Sequence, residues 1–276
     1  MIAQFELSVW GGASGRRLRR RRQGFDRLPW GTLRDRLASP AAFEEARQVW
    51  TNGVFTEFAS GAAFATLAAL ACEAGAPIDL VAMAADFAVD EMDHAELAGR
   101  LLAELGGACP YEVDLQKVTP LATDGAPAAL RAVEIALKTC SIGEALSVPV
   151  LTRSMRGADH PLLQAVLRRI TRDEAHHPKL GDLLLEWAEP VVRRHADHLR
   201  DVALETLLAY APLWQRPACG SCELAPTYGG IPQDEYRALL RETVVRRVVR
   251  PLLRRGIDLR GPRLSAMLRD EDAPSS

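Results

Sequence analysis

Two short patterns in this chain have the residue types and the spacing to hold metal ions. Glu91-Met92-Asp93-His94 and Glu174-Ala175-His176-His177 each set a carboxylate three residues before an imidazole. Positions i and i+3 share a face of an α-helix, so Glu91 points with His94 and Glu174 with His177. Each pattern also has a glutamate upstream in an apolar helical stretch. Glu57 lies 34 residues before Glu91, and Glu144 lies 30 before Glu174. Four such helices packed together would bring four carboxylates and two imidazoles to one point.

The charge around these residues argues for cations at that point. Between Arg47 and Arg100 there is no lysine or arginine, yet eight acidic residues fall there, Glu57, Asp90 and Glu91 among them. Nothing basic stands between Lys138 and Arg153 on either side of Glu144. An isolated ionised carboxylate inside a helical core costs on the order of several kcal/mol unless something compensates it. Two divalent cations balance four carboxylates. The bland alternative turns the glutamates to solvent. An aspartate precedes each pattern, Asp90 before Glu91 and Asp173 before Glu174. Each points about 100° away from its neighbour on the helix. Metal-bound imidazoles commonly donate their second N–H to a carboxylate. The expected arrangement is therefore a cross-pairing, Asp90 with His177 and Asp173 with His94.

The doubled Glu…Glu-x-x-His set resembles the ferritin-like di-iron carboxylate superfamily. Its Asp-Glu-x-x-His form is similar to the hydroxylase subunits of soluble bacterial multicomponent monooxygenases. The wording Asp-Glu-Met-Asp-His-Ala-Glu-Leu and Asp-Glu-Ala-His-His-Pro-Lys-Leu resembles small bacterial ferritin-like domain proteins. The resemblance covers roughly half the chain. It implies an all-α fold, a ferritin-like four-helix bundle with an N-terminal arm and additional C-terminal helices. The implied ligands, which are also the catalytic residues, are Glu57, Glu91, His94, Glu144, Glu174 and His177. The implied cofactors are two iron ions, with Fe/Mn or manganese as alternatives, and O2 is the co-substrate. The activity so implied is that of a di-iron oxidase or monooxygenase acting on a small organic substrate. An external electron donor, a reductase or ferredoxin, would serve it. Alternatives are a ferroxidase or rubrerythrin-like iron or peroxide handling protein, or a tRNA-modifying di-iron hydroxylase. Arylamine N-oxygenases of this superfamily carry a histidine one turn before the fourth-helix glutamate, where this chain has Ile170. Its tyrosines, Tyr111, Tyr210, Tyr228 and Tyr236, all fall outside the expected ligand helices, so no radical tyrosine is expected beside the metals.

The helices that must position these side chains can be bounded from caps and breakers. The first runs from Ser39-Pro40 to about Ala74 and the second from Ile78 to Leu105. The third starts near Pro127. The fourth spans Pro161 to Ala188. The small-residue run Ala59-Ser60-Gly61-Ala62-Ala63 either lets helices approach closely or leaves a cavity beside the metals. Pro149 and Pro178 each remove a backbone hydrogen bond, which predicts a kink or π-bulge just past Glu144 and another beside His177. The ligand region 40–189 is preceded by an irregular basic arm, 1–39, with an arginine-rich run from Arg16 to Arg22. It is followed by a helical cap and tail, 190–276, the tail from Asp270 being expected to lack order. A fifth helix carries His195 and His198, read as solvated. With Cys219 and Cys222 they could form a zinc site; a redox pair or plain loop thiols are the other readings. One Cys-x-x-Cys cannot build a rubredoxin-type site, which needs two.

Composition bounds the rest. With 276 residues, 48% hydrophobic, the chain can bury a sizeable core. A net charge of −2 argues against a general nucleic-acid binder. No signal peptide is evident, and the apolar run Phe58 to Cys72 stops short of a membrane span. Five cysteines, an odd and sparse count, fit a reducing cytoplasm. A homodimer is left open.

Overall fold

The computed structural model describes residues 2–8, 11–21, 24–33, 40–115, 118–215 and 228–269. The fold is all-α. In chain order it has β1 (Ile2–Gln4), α1 (Gly12–Arg21), α2 (Pro40–Glu73), α3 (Ile78–Glu104) and β2 (Glu112–Asp114). Helix α4 (Ala128–Ala136) runs through a π-helical stretch, Leu137–Glu144, into α5 (Ala145–Gly157). Then come α6 (Pro161–Glu174), α7 (His177–Trp187), α8 (Glu189–Arg194), α9 (Ala196–Tyr210) and α10 (Pro212–Gln215). Helix α11 (Gln233–Thr243) passes through a second π-helical stretch, Val244–Val249, to α12 (Arg250–Arg254), and α13 (Pro262–Leu268) follows.

Four helical rods form the bundle: α2, α3, α4 with α5, and α6 with α7. Two apolar layers lie above and below its middle. Phe64, Leu67, Phe87, Ile135 and Leu184 pack in one layer. Leu97, Leu101, Leu162, Val166 and Ile170 pack in the other. The helices change register between the layers, so α3 buries Phe87, then Glu91 and His94, then Leu97 and Leu101. A polar belt thus crosses an otherwise apolar core. Helices α9 to α13 cover one flank, with Leu207, Trp214, Val248 and Leu252 in a third apolar cluster.

Two glycines set how closely the rods approach. A Cβ on Gly61 would meet the Met92 methyl and stand 3.2 Å from Glu91 Cβ and 3.3 Å from the Ala88 carbonyl oxygen, so α2 is pressed against α3. A Cβ on Gly181 would stand 2.7 Å from Cys140 Cβ, so α7 is pressed against the π-helical stretch. Pro40–Glu73 and Ala128–Gly157 are long and apolar enough to cross a membrane by length and composition. Here they are bundle rods, and each carries one of the expected ligands, Glu57 or Glu144.

The structure departs from the sequence expectation in four places. The 1–39 stretch is not wholly irregular. β1 pairs antiparallel with β2, Ile2 opposite Asp114, which also orders part of the loop after α3. The arginine run is helical from Arg16 to Arg21 on α1, while Arg22 lies outside the described residues. The π-helical stretch ends at Glu144 instead of following it. The wide turns lie where Cys140 and Ser141 meet Gly181, and the chain beyond Glu144 is ordinary α-helix through Pro149. The fourth rod is two helices, broken at Ala175-His176. Pro178 takes the second position of α7, where no N–H is required, so α7 begins at the ligand itself. Ser39, Cys219, Cys222 and the tail from Asp270 lie outside the described residues.

Candidate metal centre

Glu57 comes from α2, Glu91 and His94 from α3, Glu144 from the end of the π-helical stretch, Glu174 from the last position of α6, and His177 from the first of α7. The structure brings all six together in two overlapping groups. One is Glu57, Glu91, His94 and Glu174, and the other is Glu91, Glu144, Glu174 and His177. Within each group the donor atoms lie within 4.8 Å of one another. Glu91 and Glu174 belong to both. Glu91 Oε2 is 3.7 Å from His94 Nδ1 while its Oε1 is 2.9 Å from His177 Nδ1. Glu174 does the same, with Oε1 3.1 Å from His94 Nδ1 and Oε2 3.0 Å from His177 Nδ1. The outer glutamates each attend one imidazole. Glu57 Oε2 is 3.6 Å from His94 Nδ1, and Glu144 Oε2 is 3.9 Å from His177 Nδ1. The result is two half-sites joined by two shared carboxylates.

The donor atoms fit cations better than they fit one another. Glu91 Oε1 and Oε2, His94 Nδ1, Glu174 Oε2 and both ring nitrogens of His177 are buried without a hydrogen-bond partner. Several sit at hydrogen-bond distance from each other, yet their angles do not make the bond. Donors held about 2.1 Å from one shared cation lie roughly 3–4 Å apart, as these do. Leaving such groups buried and unmet costs about 1–3 kcal/mol each, more if charged.

Proton affinities in the cluster point the same way. Burial pushes the Glu91 and Glu144 carboxyls well above the usual range, and the Glu174 charge adds to both shifts. Glu174 moves down. Burial would raise it, but His177 and His94 beside it outweigh that. Burial opposes charge on His94 and His177 too, yet the surrounding carboxylates raise both, His94 strongly. Without cations, the cluster holds protons to offset its own charge. Cations would take their place.

Outside the six, the two halves differ. With its Nδ1 turned to the cluster, His94 presents Nε2 to Asp173 Oδ2 at 3.5 Å, the pairing expected from sequence. Asp173 is in turn fixed by Arg169, whose Nη1 and Nη2 reach its two oxygens at 3.2 and 3.0 Å. The matching pair, Asp90 with His177, is not made. His177 Nε2 has no hydrogen-bond partner, and its ring is wedged between Phe87, 4.3 Å between centroids, and Phe64, 5.0 Å. Asp90 stays half-buried, its carboxyl raised by burial and by the charge of Asp173.

A cavity of about 730 Å³ opens beside the cluster, with Glu57, Glu144 and Glu174 in its wall. The small residues of α2 serve two purposes: Gly61 meets α3, while Ala59, Ser60 and Ala63 line the cavity. Helix α9 closes the far side with Val202, Thr206 and Tyr210. Tyr210 corrects the expectation that no tyrosine adjoins the site. It shares the cavity wall with Glu144, and its hydroxyl stands 3.3 Å from where a Cβ on Gly143 would be. Burial, and then the charge of Glu144, raise its phenol above the usual range. Nothing in the spacing places a residue 66 positions beyond Glu144 beside it; only the return of α9 does. Ser147 was also missed, although it lies one turn from Glu144 and donates to its carboxylate at 3.2 Å. His198 is not simply solvated: its Nε2 lies 2.6 Å from Glu134 Oε1.

No protein-family model matches this chain, and no curated protein matches it. Among solved structures, one described as protein 19 with aldehyde deformylating oxidase activity, from Synechococcus, is similar at a TM-score of 0.51 and 18% identity. The match covers 78% of this chain and 98% of that one. What the two proteins share at that identity is a fold, the helical architecture that carries the carboxylate and imidazole cluster described above.

Proposed function

We propose that this protein is a non-haem di-iron oxidase or monooxygenase that uses O2 to oxidise a small, largely apolar organic substrate. The observation that carries this reading is the cavity. Its volume of about 730 Å³ lies within the range of small-molecule sites, roughly 300–1,000 Å³. Three of the four cluster carboxylates, Glu57, Glu144 and Glu174, stand in its wall. Protein that only took up iron would have no use for a large chamber lined by Ala63, Leu146, Val150 and Val202. The Synechococcus protein has oxidase activity, a chemistry of the same broad kind on a similar fold.

Glu91 and Glu174 would hold both ions, Glu57 and His94 one of them, and Glu144 and His177 the other. Two iron ions so held would supply electrons to O2, the redox chemistry belonging to the metals. The chain's own residues do the rest. Asp173 accepts a hydrogen bond from the His94 Nε2–H and fixes the ring, and Arg169 fixes Asp173. Phe64 and Phe87 keep water from the His177 side. Ser147 steadies the Glu144 carboxylate. Tyr210 and Thr206 put hydroxyls on a mostly apolar wall, where they can orient a polar end of the substrate. The electron donor is an external reductase or ferredoxin, and the compartment is the reducing cytoplasm.

Anaerobic loading with Fe(II), followed by admission of O2 with a chemical reductant, tests this reading. About two metal ions per chain are expected, with O2 consumption that rises when a small apolar alcohol or aldehyde is supplied. Uptake of far more than two iron equivalents, with assembly into a cage, would make the protein an iron-handling one instead.

A further inference from the structure

A second buried carboxylate lies outside the cluster. Glu134 on α4 is 1% exposed, and its side-chain oxygens are met from two separate segments. Its Oε2 accepts the Thr123 N–H at 2.7 Å and its Oε1 accepts the Thr123 hydroxyl at 2.8 Å. His198 Nε2 on α9 sits 2.6 Å from the same Oε1. Those two segments are the cavity's outer wall. Pro120 and Leu121 line it just before Thr123, and Val202, Thr206 and Tyr210 line it after His198. Lys138, one turn beyond Glu134, donates to the Leu121 carbonyl and grips the same segment again.

We propose that Glu134 is a positioning residue for the substrate cavity, clasping Thr123 and His198 and so fixing how wide the cavity stands open. The inner wall, from α2 and the π-helical stretch, is bundle core and does not depend on this clasp. The 118–123 part of the outer wall does, whereas α9 is also anchored by Leu199, Ala203, Leu204 and Leu207 in the apolar core. Leu121 is 76% exposed and has little packing of its own to hold it. His198 is 40% exposed on its side chain, so solvent can reach the pair and local opening needs no unfolding of the bundle. Burial would raise the Glu134 carboxyl, but His198 and Thr123 outweigh it and hold it below the usual range, so the charged clasp is the favoured form. Release of this one carboxylate would widen the mouth and admit bulkier substrates. The proposal rests on the oxidase reading only in taking the cavity as the substrate's place.

The test needs no turnover, so its outcome is independent of the reaction assigned above. Backbone amide exchange and the dissociation of 1-aminoanthracene, a neutral apolar fluorophore, are measured in wild type, Glu134→Gln, His198→Ala and the double variant. Exchange over 118–126 should quicken by about tenfold while 78–104 and 196–210 keep their protection. Probe dissociation should quicken by about fivefold. The double variant should add little to either single change, because both break one clasp. Thr123→Ala removes the hydroxyl donor at the surface, keeping the backbone N–H, and stands in if Glu134→Gln does not fold. Equal quickening over 78–104, or an unchanged probe rate, would overturn the proposal.

Discussion

The molecule buries carboxylates in two places, and it treats them differently. At Glu134 the chain supplies every partner: a backbone N–H, a hydroxyl and an imidazole. At Glu91 and Glu174 it supplies almost none, only more carboxylates and the Nδ1 atoms of two imidazoles. Both arrangements sit in apolar surroundings, where an unmet charge is costly. The first is complete as a protein structure. The second has a donor set that cations would complete. The proton affinities separate the two in the same sense. Glu134 falls below the usual range because donors outweigh its burial, while burial, and then the charge of Glu174, lift Glu91 and Glu144 well above.

The largest effects should come from the residues that both half-sites share. Glu91→Ala or Glu174→Ala should abolish binding of both ions and all O2 consumption, with helical content by circular dichroism kept. Should wild type itself hold no metal after anaerobic Fe(II) loading, the contrast with Glu134 fails. His94→Ala and His177→Ala should each lose one ion of about two, as metal analysis on desalted protein would read. Asp173→Asn should be milder, about 10–100-fold in affinity for the His94-side ion. Asp90→Asn should change affinity far less, since His177 does not bond to it. Equal effects from the two aspartates would mean that the halves are not as unlike as Asp173 and the Phe64–Phe87 pocket make them.

The six cluster residues were legible because each lies on a helix whose period fixes which neighbours share its face. Asp173 was legible for the same reason, and Arg169, four residues earlier, carries the same kind of signal through its i,i+4 spacing. What the chain does at Asp90 was not. The His177 ring lies instead against two phenylalanines, Phe64 from α2 and Phe87 from α3, which the period of neither helix announces. Tyr210 and Glu134 were hidden for a third reason. Both gain their role from α9, and no periodicity within a helix says which flank of a bundle a later helix will cover. The break at Ala175-His176 lay between these cases. Pro178 announced it, but the turn that lets α7 begin at the ligand is a property of the pair of helices.

The smallest effects concern pH, and they set the two regions against each other most directly. Glu134 has a folded-state affinity for protons below its usual value of 4.5. Its contribution to stability is therefore present above that pH and is lost as pH falls through the folded value. Glu134→Gln should cost about 1–3 kcal/mol near neutrality, and the cost should shrink in acid. Glu91 behaves oppositely in metal-free protein, because its folded-state affinity for protons is raised from 4.5. What it contributes is present below that pH and drains away as pH rises through the folded value. Glu91→Gln, which imitates the protonated acid, should thus gain on wild type as pH increases. Thermal unfolding of the metal-free proteins between pH 4 and 8 reads both slopes. If the two variants trend in the same direction, then Glu91 is being met by protein donors as Glu134 is, and the need for cations at the cluster loses its electrostatic basis.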